Sequence, residues 1–279
     1  MLRELESEDA DRQIDWLFGD TWPSTTGDAG FDPVGQWPAA LWILHAVYEM
    51  DALPDDLTYD DLEKSTRAAG LEEPPLTESD ARWAEVTEGA VVVGGGSGYA
   101  EKLDPPWRRL SWADLDGREG FAIVALSGES PNMRSEPRSD WSDPAIIPIE
   151  SRPILRPIAG GSWPVSLEPP TEGSLDEESL LALTEVLTRF TAPQAPCMFY
   201  SGFLIDFDKA RVYEGVLGDL MWFVGPREGR IFTPSNFWPA DRSWFVYTDY
   251  DLCATRVSGS PELIDALSEA DGLDTLRCG

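Results

Sequence analysis

The sequence predicts an α+β protein, with a mainly helical N-terminal region followed by a C-terminal antiparallel sheet flanked by helices. Three observations carry this. Apolar residues recur at helical spacing early in the chain, where Ile14, Leu17 and Phe18 lie in an acidic stretch. Prolines at 131, 137, 144, 148, 153, 157, 164, 169 and 170 exclude long helices and central strands from the middle of the chain. Beyond residue 173 a helical pattern, a series of short β-rich runs and a second helical pattern follow in order. That order places helices on one face of an antiparallel sheet. The expected division is a mainly helical region over 1–126, a proline-rich connector over 127–172 and an α+β domain over 173–279.

In the N-terminal region, the segment 37–50 is apolar on nearly every side, and Pro38 suits a first helical turn, so a buried central helix is expected there. Asp55, Asp56, Asp60, Asp61 and Glu63 then mark the solvated face of a following helix. Residues 90–93 read as a short strand, Ser111 as the cap of a brief helix through Leu115, and 121–126 as another strand.

In the C-terminal region Ser174 and Glu177 have the spacing of a capping box, and Leu180, Leu183 and Leu187 form one apolar stripe ending near Phe190. Strands are expected at 198–205, 211–217, 220–224, 230–232 and 244–252, separated by turn residues such as Asp208-Lys209. Ser260-Pro261 opens a last helix with Leu263, Ile264 and Leu267 facing inward.

Composition narrows the function classes. With 42% hydrophobic residues and 12 tryptophans the chain has ample material for a core, which excludes a disordered protein. Aspartate and glutamate number 51 against 21 lysines and arginines, a net charge of -30. A surface of that sign repels phosphate backbones and anionic membranes, so neither nucleic acid nor a membrane is an expected partner. A basic protein is attracted and steered by the same field. Abundant carboxylates also serve plain solubility, and both readings stand.

No run approaches the roughly 18 apolar residues of a membrane helix, and residues 1–11 are acidic where an export signal is basic and then apolar. Cys197, Cys253 and Cys278 are odd in number and widely spaced, which fits reduced, inert thiols. A cytoplasmic protein is expected.

The chain has one histidine, His45, so a Ser/His/Asp triad, a Cys/His dyad or a histidine-rich metal site would have to use it alone. With Leu41, Leu44 and Tyr48 around it, a satisfied, partly buried imidazole is the expected role. The run Gly94-Gly95-Gly96-Ser97-Gly98 lacks the Lys-Ser/Thr of a phosphate loop and reads as a hairpin. No cofactor motif, catalytic set or metal set is named from the sequence.

Asp206-Phe207-Asp208 and Asp249-Tyr250-Asp251 place two carboxylates on one strand face by the period of two. Such pairs can hold Mg²⁺, act as acid and base, form a solvated face or meet a partner. If Trp244, Val246, Tyr250 and Leu252 face the core, Tyr247, Asp249 and Asp251 point outward. Trp222, Trp238 and Trp244 read mostly as core, although Trp238, within a loop at 236–239, also offers an aromatic anchor, and Asp241 follows it. The expected partner-binding residues are therefore Asp206, Asp208, Trp238, Asp241, Tyr247, Asp249 and Asp251.

The segment 174–276 resembles a family of uncharacterised bacterial proteins. The matching stretches are 174–187, 191–196 with Cys197-Met198-Phe199, Trp238-Pro239-Ala240-Asp241-Arg242-Ser243-Trp244-Phe245-Val246, Thr248-Asp249-Tyr250-Asp251, and Thr255-Arg256-Val257-Ser258-Gly259-Ser260. Fainter echoes lie at 37–45 and 107–113. The chain departs from the family pattern at Met198, where relatives carry tryptophan, and at Ser258, where they carry a second glycine. The resemblance brings no catalytic residue with it. Acidic, tryptophan-rich α+β proteins of this look are often immunity proteins encoded beside secreted polymorphic toxins, and by that analogy the chain is expected to bind and neutralise a basic toxin domain. The alternative expectation is an enzyme or ligand-binding protein that uses the paired aspartates, with or without a divalent cation.

Overall fold

A computed structural model describes residues 2–18, 36–59, 61, 105–116, 118, 163–171, 173–201, 211–224, 233–248 and 253–278. These residues form eleven strands and five helical segments. The strands are β1 (Arg3–Glu4), β2 (Ala39–Leu44), β3 (Val47–Glu49), β4 (Arg108–Leu110), β5 (Leu167–Glu168), β6 (Pro196–Ser201), β7 (Arg211–Val216), β8 (Asn236–Pro239), β9 (Phe245–Tyr247), β10 (Ala254–Gly259) and β11 (Asp274–Arg277). The helices are α1 (Ser7–Phe18), α2 (Trp112–Asp116), α3 (Glu177–Arg189) and α4 (Pro261–Ser268), with a 3-10 helix at Leu217–Phe223.

Eight strands make one sheet in the order β1-β7-β6-β8-β9-β10-β2-β11, and three make a second in the order β4-β3-β5. Every pairing is antiparallel. Only His45 and Ala46 separate β2 from β3, so one continuous stretch passes from the large sheet into the small one. The N-terminal segment thereby donates β1 to one edge of the large sheet and β2 to its interior, between β10 and β11.

This overturns the expected mainly helical N-terminal region, and with it the α+β class of that form: among the described residues the chain is mostly sheet. Of the expected N-terminal helices, α1 forms, with Ile14 and Leu17 buried, and α2 forms behind Ser111, whose Oγ accepts from Ala113 N at 3.2 Å. The segment 37–50 does not. Its uniform apolarity has another cause: β2 is buried on both faces, so Leu41 and Ile43 enter one core while Trp42 and Leu44 enter another. A strand covered on both sides loses the alternation that normally marks it and reads like a buried helix.

The large sheet is the middle layer of three. On one face α3, α4 and the 3-10 helix pack Leu180, Leu183, Leu187, Leu220, Phe223 and Leu263 against Phe199, Tyr213, Phe237, Val246 and Val257. On the other face α1, α2 and the small sheet bring Ile14, Leu17, Leu110, Trp112 and Leu167 against Met198, Tyr200, Trp238, Phe245 and Tyr247. Successive residues of β6, β8 and β9 thus feed opposite cores, as the pleat requires.

In the C-terminal region β6, β7 and α4 form near the places the sequence predicts, and Leu263, Ile264 and Leu267 are buried. Helix α3 begins three residues later than the expected cap. Asp176 is its N-cap, accepting from Ser179 N at 3.3 Å, while Ser174 Oγ instead accepts from Thr233 N at 2.9 Å. The run predicted as a strand at 220–224 lies in the 3-10 helix, where Leu217, Leu220 and Phe223 recur every third residue onto the core. Asp219 starts that turn by accepting from Val216 N at 3.0 Å, and Gly215 leaves room for it, since a Cβ there would sit 2.6 Å from Asp219 Oδ2. The segment 236–239, read as a loop, is β8. The predicted strands at 90–93, 121–126 and 230–232 and the glycine run lie outside the described residues, as do most of the 127–172 connector. Its described end is not merely draped over the surface: β5 pairs with β3, and Val165 and Leu167 are buried.

Among the described residues no helix is long and apolar enough to cross a membrane. Cys197, Cys253 and Cys278 are all free thiols, and burial pushes Cys197 up to about 12.

Candidate partner-binding face

The β8–β9 connection is a turn closed by Arg242 N donating to Pro239 O at 2.8 Å, with Asp241 exposed at its tip and accepting from Ser243 N at 3.0 Å. Arg242 has φ 55, the left-handed region that favours glycine. An L-residue there costs about 1–2 kcal/mol, so its neighbours must hold it. Trp37 Nε1 donates to Arg242 O at 3.0 Å, and the Arg242 guanidinium lies 4.3 Å above the centre of the Trp16 ring.

Below the turn stand four aromatic rings. Phe245 is stacked between Trp37, at 5.3 Å, and Trp238, at 5.7 Å. Trp16 meets all three edge to face, at 6.2 Å from Trp37, 5.6 Å from Trp238 and 5.7 Å from Phe245. Phe245 and Trp238 are buried, whereas Trp16 and Trp37 are partly exposed. Helix α1, which carries Trp16, also exposes Glu8, Asp11 and Asp15. Four elements therefore converge at this end of the sheet on an aromatic platform, one cation lying across it and carboxylates on the same helix.

Of the sequence-predicted residues the structure describes three, Trp238, Asp241 and Tyr247, and buries two of them. Trp238 is 1% exposed and Tyr247 3% exposed, so the first is not a loop anchor and the second does not point outward. The reason for Tyr247 is again the second covered face, which receives it beside Trp42 at 6.4 Å. Asp241 is exposed at the turn. Asp206, Asp208, Asp249 and Asp251 lie outside the described residues. Arg242, Trp16 and Trp37 were not singled out from the sequence. Trp16 had a legible signal, a tryptophan in an acidic helix, but nothing local marks the strained Arg242.

The opposite end of the sheet is polar and buried. Thr248 N donates to Ser235 O at 2.8 Å and extends the β8–β9 ladder; Ser201, Thr248 and Thr255 are buried there, as is His45. The hydroxyls of Ser201 and Thr248 have no hydrogen-bond partner among the described residues. The His45 ring is fully used: Nδ1 lies 2.5 Å from Thr171 O, which fixes Nδ1–H as donor, and Nε2 accepts from Thr255 Oγ1 at 2.9 Å. Burial is the main cause that lowers His45 to about 4, against the smaller opposing pull of the Thr171 carbonyl and Asp176. The imidazole is thus satisfied, as expected, but it ends β2 and does not sit in a helix.

This has a measurable consequence. A histidine whose folded pKa lies below its ordinary 6.5 contributes stability that is complete above that value and is lost as pH falls towards about 4. The gap corresponds to about 3 kcal/mol. Burial also pushes the Glu168 carboxyl well above its ordinary range, which acts in the opposite sense. The difference between the wild type and His45→Gln isolates the histidine: urea unfolding is expected to show the wild type losing about 3 kcal/mol relative to the variant between pH 7 and pH 4.

Near His45 lies a polar cluster built on the Asp176 carboxylate. Tyr48 Oη donates to Asp176 Oδ2 at 2.9 Å, Arg109 Nη1 lies 3.6 Å from the same oxygen, and Arg109 Nη2 donates to Ser179 Oγ at 2.9 Å. Burial, with Asp176 beside it, pushes the Tyr48 phenol upward and keeps it a donor. Glu49, on β3, is held between Arg108 and Arg118, and the hydrogen bond from Arg118 is the chief cause that keeps its carboxyl low. These pairs tie the small sheet to α3 and to the end of α2. Among the described residues no group of three or more His, Cys, Asp or Glu side chains is placed to hold a metal ion. Comparison of the chain with family models, with curated proteins and with solved structures finds no match in any of the three.

Proposed function

We propose that this chain is an acidic protein-binding module that engages a basic protein, in the manner of an immunity protein that binds and neutralises a toxin domain. The observation that carries the reading is the net charge of -30 on a folded, tryptophan-rich chain. Such a field raises the rate of encounter with a basic partner and repels nucleic acids and anionic membranes. The buried and fully hydrogen-bonded state of the one histidine supports a binding role over conventional hydrolysis, because His45 has no free ring nitrogen to serve as a base. Free thiols and the lack of a membrane-length helix among the described residues are in keeping with a cytoplasmic address.

The test is calorimetric titration of the full chain against the products of neighbouring genes at several salt concentrations. Raising salt from about 0.01 M to about 1 M shortens the Debye length from about 30 Å to about 3 Å, and affinity for the true partner is expected to fall by about tenfold or more. Binding that does not respond to salt, or no binding by any basic neighbour, removes the proposal.

A further inference from the structure

We infer that the Trp16 ring is a docking position for an arginine or lysine side chain of the basic partner, and that the chain's own Arg242 occupies it in the free protein. The inference rests on the acidic-module reading and names the point of contact within it.

Four observations converge. The Arg242 guanidinium lies 4.3 Å over the centre of Trp16, so that ring already receives a cation of the kind a basic partner would present. Arg242 is exposed, on a turn, and pays with a left-handed backbone at φ 55 for a position that glycine would take without strain. A side chain kept where glycine fits better has a use for that side chain. Beneath it, Trp16 is backed by the rings of Trp37, Phe245 and Trp238, of which Phe245 and Trp238 are buried. The platform is therefore rigid, and it stays in place when its cover moves. Helix α1 carries the carboxylates of Glu8, Asp9, Asp11 and Asp15 against the one guanidinium of Arg12, and Asp241 stands beside Arg242, so the charge carried by these segments is negative on balance and favours a cation.

The exchange has simple thermodynamics. Arg242 competes with an incoming cation for one ring face and also repels it. Moving Arg242 aside removes both penalties and leaves its own head group in water, so the net cost of opening is small. Aromatic rings accept guanidinium and ammonium alike, with arginine the more frequent partner because its planar head stacks as well.

The experiment uses the full chain and a decaarginine peptide as probe, read by calorimetry and by the indole N–H resonances in ¹H–¹⁵N spectra. Arg242→Ala is expected to bind the probe about three- to tenfold more tightly than the wild type. Arg189→Ala, an exposed arginine of the same charge at the end of α3, is expected to change affinity less than about twofold. The Trp16 indole resonance should shift on titration, and Trp16→Leu placed in the Arg242→Ala background should abolish the gain. If Arg242→Ala and Arg189→Ala gain equally and the Trp16 resonance does not move, attraction is diffuse: the docking position is wrong and the acidic-module reading survives. If the probe does not bind at any salt concentration, both fall. Should Trp16→Leu fail to fold, the arginine pair and the resonance still decide.

Discussion

Replacing Asp176 with alanine is expected to destabilise the fold by about 3–5 kcal/mol. Asp176 is 1% exposed and does three things at once: it caps α3 through Ser179 N, accepts from the Tyr48 phenol and faces Arg109. Removing it leaves a largely buried guanidinium without its counter-charge and a buried phenol without its acceptor. The cap alone is worth about 1 kcal/mol, so most of the loss comes from the stranded partners. Asp176→Asn keeps one of the two acceptor oxygens, for Ser179 N or for Tyr48, while discarding the charge, and should cost less than alanine. Urea unfolding of the two variants beside the wild type, with the denaturant slope unchanged, provides the measurement. Equal stability for alanine and wild type would mean that this buried cluster does not hold the small sheet to α3.

A loss of similar size, about 3–5 kcal/mol, is expected for Trp238→Ala. The ring fills the space between Phe245 and Trp16 and is in contact with the second core, so truncation opens a cavity that flanking strands β6 and β9 cannot close without breaking register. Trp238→Phe retains a ring against Phe245 and should lose appreciably less. The pair of variants separates two roles for this residue. A surface anchor would leave the thermal midpoint unchanged and weaken only binding; a core residue lowers the midpoint by roughly 2–4 °C for each kcal/mol lost. The second result is expected. A midpoint within experimental error of the wild type would return Trp238 to the surface.

How much of this was legible beforehand differs from element to element. Helices α3 and α4 were readable because one face of each is solvated, so their leucines stand out at helical spacing, and Ser260-Pro261 marks the start of α4 chemically. Strands β6 and β7 were readable from β-rich runs bounded by turns. Strands β2 and β8 were not. Like β6 they are interior strands covered on two sides and carry no alternation, but β6 is followed by a turn signal, whereas β2 runs through His45-Ala46 into β3 as one long apolar stretch and β8 is a four-residue aromatic run ending in Pro239.

The candidate face shows the same limit. That carboxylates dominate the surface, that the one histidine would be satisfied and that the thiols would be free followed from residue counts and near neighbours alone, because charge and local crowding are properties of the chain at short range. The meeting of Trp16, Trp37, Trp238, Arg242 and Phe245 did not follow, since it joins a helix near the N-terminus to a hairpin more than 200 residues later. The pairing of β2 with β10 and of β8 with β9 sets those segments side by side. By itself the sequence determined the sign of the field and that any histidine chemistry must use His45 alone; only the tertiary structure decided which aromatic rings lie under which cation, because contact between distant segments is set by strand order and not by any local preference.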